Sequence, residues 1–151
     1  MEKLFDIILQ SNQERKQKAK LIAEKIRDAK GYSWIGLYDV TKKDIHLISY
    51  AGRSEPTFIS FPNDKGLNGR ANLEKRTVIV NDIDRDEDYL LTFSDTQSEI
   101  VVPVFDTDEK PLKAPLMLKV NKRMHLIRKT QLSWKDVRSQ FNRFGTTNNN
   151  K

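Results

Sequence analysis

The chain has 151 residues, with 27 Lys plus Arg against 21 Asp plus Glu, a formal charge of +6 and 37% hydrophobic residues, which suits one domain with one core and leaves little apolar surface for a second. No run approaches the roughly 18 apolar residues that a membrane span needs, and the start Met1-Glu2-Lys3-Leu4 lacks a signal peptide's apolar stretch, so a cytoplasmic protein with no membrane partner is expected. The absence of cysteine excludes disulfides, thiolate metal ligands and a cysteine nucleophile.

Leu4, Ile7 and Ile8 sit at helical spacing, and Ser11 followed by Glu14 has the form of a capping box, in which each side chain satisfies a free backbone N–H. A second helix follows, with Ala19, Ile22, Ile26 and Ala29 as its apolar face among Lys, Glu, Arg and Gln, and Gly31 as its stop. From Tyr32 to Val40 the residues turn aromatic and β-branched. Ile35 and Leu37 fall on one face and Trp34, Tyr38 and Val40 on the other, which reads as a central strand covered on both sides. The polar turn Thr41-Lys42-Lys43-Asp44 leads into a strand from Ile45 to Tyr50, giving a hairpin. Phe58 to Phe61 reads as a short strand, Leu67 to Lys75 as a short helix entered through Asn63, Asp64 and Gly66, Thr77 to Val80 as a strand, and Ile100 to Phe105 as a buried strand with Ser98 and Glu99 at its entrance. Helices first and mostly antiparallel strands after them make the fold class α+β.

Two constellations point to no site of their own. Asp82, Asp84 and Asp86 imitate the start of a calcium loop, but Glu87 stands where the loop needs glycine and Phe93 where it needs a bidentate acid, so a solvated acidic loop is expected and no metal. His46 and His125 are too few and too far apart for a metal or a catalytic dyad.

Four blocks carry a resemblance: Tyr32-Ser33-Trp34-Ile35-Gly36-Leu37-Tyr38, Gly66-Leu67-Asn68-Gly69-Arg70-Ala71, Val80-Asn81-Asp82-Ile83, and Ser98-Glu99-Ile100-Val101-Val102-Pro103-Val104. In this order and spacing they resemble a GAF domain of the free methionine-(R)-sulfoxide reductase type, over about residues 12 to 112, the last block being the most specific. The resemblance implies a central antiparallel sheet with helices on one face and a small-molecule pocket over the other. It also implies reductase chemistry by thiolate attack on a sulfoxide sulfur and resolution by a second cysteine. This chain departs from that pattern: Asn68 stands where one family cysteine belongs, Thr92 aligns with a second, and the third falls near Phe58. An amide and a benzyl group cannot do this step, and a lone hydroxyl without a base is a poor substitute. No catalytic residue and no cofactor are therefore assigned.

The ligand site implied by the resemblance is bounded by Trp34, Tyr38, Asn68, Thr92 and Glu99. For Trp34 and Tyr38, ordinary core packing is the competing reading. Glu99 suits a ligand ammonium, or else is a rim carboxylate bonded to backbone N–H groups.

The charge is unevenly spread. Residues 1 to 112 hold 17 basic and 20 acidic side chains, whereas 113 to 151 hold 10 basic and one acidic. After Pro111-Leu112 the resemblance requires a strand of the form Gly-x-Leu-Asp-Ile/Val-Asp/Glu-Ser and a last helix opening Asn-x-Phe-Asp; neither is present. Reading the codons of Lys113 to Thr130 one step out of frame permits Gly-Thr-Leu-Asp-Val-Glu-Ser and, at the family's spacing, the start of that helix. The expectation is a GAF-like domain over 1–112, lacking its last strand and helix in this frame, and a basic, out-of-frame tail over 113–151. Leu116 to Val120 remains able to fill the strand, although Pro115 removes a ladder donor at its start; from Asn121 onward disorder or loose helix is expected.

These observations point to a catalytically silent GAF-type domain for small-molecule sensing or for homodimerisation through its helices. One alternative is a reductase relative with residual or lost activity. The other is nucleic-acid binding through the basic tail by charge neutralisation, which the hidden strand argues against.

Overall fold

A computed structural model describes residues 7, 8 and 10–104, and the backbone of one further strand at 116–122. Ile7, Ile8 and Gln10 are helical, and Ser11 Oγ donates to the Ile8 carbonyl at 2.7 Å. That bond closes the preceding turn, so the capping box expected at Ser11 and Glu14 does not form. Helix α1 (Arg15–Lys30) instead has Glu14 itself at its N-cap, with no side-chain cap bond. Ala19, Ile22, Ala23 and Ile26 are buried along it, and Ala29 is exposed. Gly31 ends the helix at φ 64°, the left-handed conformation that costs glycine least.

Strand β1 (Trp34–Val40) pairs antiparallel with β2 (Asp44–Ala51) across a turn in which Thr41 Oγ1 accepts from the Asp44 N–H at 2.9 Å. The order continues with β3 (Ser60–Pro62), α2 (Gly66–Glu74), β4 (Val78–Val80), a 3-10 turn (Ile83–Arg85), β5 (Ser98–Val104) and β6 (Leu116–Lys122). The six strands form one sheet in the order β3-β2-β1-β6-β5-β4, every pairing antiparallel. The strand that the sequence leaves missing or doubtful is therefore filled from within the basic segment. β6 lies between β1 and β5, with Leu118 opposite both Leu37 and Val102. The disorder or loose helix expected from Asn121 onward does not hold for Asn121 and Lys122, which extend β6 against Trp34, Glu99 and Ser98; for 123 to 151 the expectation lies outside the described residues.

Each face of the sheet has its own core, as the two-sided β1 requires. Ile35, Leu37, Ile100, Val102 and Val104 pack under α1, which is tied to the end of β1 by an ion pair from Arg15 to Asp39. On the other face Tyr38, Val40, Ile45, Leu67, Val78 and Val101 form the second core. A register shift in the β1–β2 pairing at Leu37/Tyr38 puts both Leu47 and Tyr50 against this second core although they are three residues apart.

Candidate ligand cleft

The cleft lies on the sheet face opposite α1. Its floor is Tyr38 from β1 and Glu99 from β5; the first turn of α2 brings Asn68, and the loop after the 3-10 turn brings Thr92. Phe58 and Phe61 form one wall, and Leu90 with Gly66 the other. Four of the five residues named from the sequence thus meet at one cleft. Trp34 does not. It sits on the same strand face as Tyr38, their ring centres 6.5 Å apart, but it lines a second cleft with Arg53, Phe93 and Asp95. Its ring stacks on Tyr50 at 5.9 Å, tilts against Phe93 at 5.4 Å, and donates from Nε1 to the Ser54 carbonyl at 3.1 Å. Glycine makes the bed for it: a Cβ at Gly36 would stand 2.2 Å from Trp34 Cη2, and one at Gly52 2.2 Å from Cδ1.

Glu99 is 1% exposed, and a carboxylate in that position needs compensation from its surroundings. Its charge is felt nearby: burial first, and then the Glu99 charge, push the Tyr38 hydroxyl far above its ordinary value, and the same two causes raise Tyr89. Both phenols therefore keep their protons at neutral pH. Asn68 is buried, and its Oδ1 has no hydrogen-bond partner among the described residues. It stands on the first turn of α2, whose N-cap Lys65 makes no side-chain cap bond. Thr92 Oγ1 donates to the Leu90 carbonyl at 3.2 Å, while the Thr92 carbonyl accepts from Thr57 Oγ1 at 2.9 Å and from the Thr57 N–H at 3.4 Å.

The three positions at which the resemblance places cysteines, near Phe58 and at Asn68 and Thr92, all line this cleft. Leu90 and Phe61 were not anticipated. A leucine in an irregular loop follows no periodicity, and Phe61 was read only as strand. The acidic loop is not simply solvated: Arg70 bonds Asp86 at 2.6 Å and Asp88 at 3.1 Å, and its guanidinium pKa is raised mainly by the Asp86 bond. Arg70 belongs to one of the blocks already singled out. Among the described residues no group of three His, Cys, Asp or Glu is placed to hold a metal ion, and no helix is long and apolar enough to cross a membrane.

No family model and no curated protein matches the sequence. Solved structures do match. The GAF domain of an Acinetobacter phosphoenolpyruvate-protein phosphotransferase aligns over 93% of this chain and 87% of its own, at 15% identity and a TM-score of 0.74. The fold is that of a GAF domain. The free methionine-R-sulfoxide reductase of Staphylococcus aureus in its reduced form is similar over 95% of this chain and 90% of its own, with 19% identity and a TM-score of 0.73. That of Neisseria meningitidis, in complex with its substrate, covers 94% and 79%, with 22% identity and a TM-score of 0.70. This GAF fold thus resembles those of a phosphotransferase's GAF domain and of two reductases, and the chain holds no cysteine.

Proposed function

We propose that this GAF domain binds a small polar molecule in the cleft and does not reduce it. The observation that carries the proposal is a buried carboxylate, Glu99, at the floor of a cleft whose would-be reactive positions hold an amide, a hydroxyl and a phenyl group. Such a floor offers charge and hydrogen bonds but no sulfur nucleophile. The acid at Glu99 suits a ligand ammonium, which makes free methionine and its (R)-sulfoxide, the substrate type of the similar reductases, the first molecules to try. Homodimerisation through the helices draws no support from α1, whose apolar side is spent on the sheet while Lys16, Lys20, Lys25 and Asp28 face outward.

The test titrates the protein with L-methionine and L-methionine-(R)-sulfoxide while following backbone amide shifts, and separately assays sulfoxide reduction with a dithiol. Saturable shifts at Tyr38, Asn68, Thr92 and Glu99 without any reduction are expected. Stoichiometric reduction by purified protein, or a bound molecule whose contacts avoid all four residues, would overturn the proposal.

A further inference from the structure

The enclosed part of the cleft has room for about one water. Immediately outside, along α2, runs an open groove of about 490 Å³. Lys65, Gly66 and Leu90 line both, and of the three Leu90 alone brings an apolar side chain. Its side chain rests on Gly66 so closely that a Cβ there would stand 2.9 Å from Leu90 Cδ1 and 3.0 Å from Cγ. Leu90 is nevertheless 38% exposed.

The backbone is held on both sides of this residue. Before it, Arg70 grips Asp86 and Asp88; after it, the Thr92 carbonyl takes two bonds from Thr57, and the Leu90 carbonyl itself accepts from Thr92 Oγ1. The Leu90 side chain, by contrast, is held by apolar contact, and a partly exposed leucine changes rotamer in nanoseconds or less. The geometry points to Leu90 as a side-chain gate: it swings off Gly66 into the groove and joins groove to cleft while the loop backbone stays in place. Small molecules then enter along α2, from the groove that Leu90, Lys65 and Gly66 share with the cleft.

The gate rests on the cleft being the ligand site, but its test needs no ligand. Because the chain has no cysteine, Asn68→Cys creates a single thiol inside the cleft whose rate of labelling by a methanethiosulfonate reagent reports access. Adding Leu90→Ala is expected to speed labelling at least tenfold, and to speed a bulkier reagent more than a methyl one. Adding Thr57→Val, which removes a clasp bond of the loop, is expected to leave the rate within twofold. Thr92→Cys is a second reporter should Asn68→Cys fold poorly, and Val102→Cys, buried on the other face of the sheet, reports general loosening and is expected not to respond to Leu90→Ala. An unchanged rate with Leu90→Ala, an equal gain with Thr57→Val, or an equal gain at Val102→Cys would each overturn the gate. Methionine binding seen in the titration would then still stand, so the two failures are separable.

Discussion

Under the proposed function, stability and ligand binding pull apart at Glu99. A carboxylate taken out of water costs free energy that a neutral amide of the same shape does not. Glu99→Gln is therefore expected to leave the melting temperature unchanged or higher while weakening ligand binding at least tenfold; a variant that lost stability in a thermal melt and kept its affinity in titration would make Glu99 a structural acid. The same substitution removes a charge that raises Tyr89, so the tyrosine titration followed by absorbance is expected to move to lower pH. Tyr38, the most deeply buried of the three tyrosines whose pKa is raised, contributes a pH dependence of folding. Its hydroxyl pKa is higher in the fold than the ordinary value of 10.0, so its contribution is fully present below about pH 10 and declines as pH rises above that, by up to about 1.4 kcal/mol per pH unit. Denaturant unfolding at pH 8 and at pH 11 is expected to show this loss, and Tyr38→Phe to reduce it. At this scale the sequence was legible where motif order carried meaning: Tyr38, Asn68, Thr92 and Glu99 come from separate elements and meet. Trp34 was grouped with them because it shares a strand face with Tyr38 and matches a position that lines the cavity in the family the chain resembles. What moved it to a neighbouring cleft is the space over Gly36 and Gly52, which alternation does not encode.

At the scale of elements, α2 is placed by close backbone approach. A Cβ at Gly69 would stand 2.3 Å from the carbonyl carbon of Asp64, and backbone cannot step aside as a side chain can. Gly69→Ala is expected to destabilise the domain by about 1–3 kcal/mol, measured by denaturant unfolding; an unchanged midpoint would mean that the turn before α2 is pliable. Gly-Leu-Asn-Gly was visible as a motif, and α1 and β1 were visible by period, because their apolar residues repeat on faces that are in fact buried. The start of α1 was misread for a local reason: the Ser11 hydroxyl has a nearer acceptor in the turn behind it than the N–H groups ahead. In β2 the shift of register opposite Leu37/Tyr38 breaks the alternation, and a two-residue period read along one strand has no access to how its partner pairs.

At the scale of the whole molecule, the position of β6 decides how much the basic segment matters. Leu116–Lys122 pairs with β1 on one side and β5 on the other, so without it the sheet has no continuous ladder from β1 to β5. Composition set residues 113–151 apart as a tail, since their charge differs so sharply from the rest; topology joins at least seven of them to the middle of the sheet. If the segment is an out-of-frame reading, this central strand is one whose residues were not chosen for its place, and Pro115 stands immediately before it. The other frame after residue 112, which can encode Gly-Thr-Leu-Asp-Val-Glu-Ser and the start of a further helix, then supplies a strand to a sheet that already has the place for it. Each large apolar side chain regained by burial contributes about 1.5–3 kcal/mol, and in a domain of this size each kcal/mol moves the melting temperature by about 2–4 °C. The restored chain is thus expected to melt several degrees higher than this one, with stronger amide-exchange protection at Ile100 to Val104, where β5 faces β6. Equal melting temperatures and equal protection, in two chains expressed and measured side by side, would instead make Leu116–Lys122 a strand as well suited to its place as the one it displaces, and the basic segment a working part of the fold.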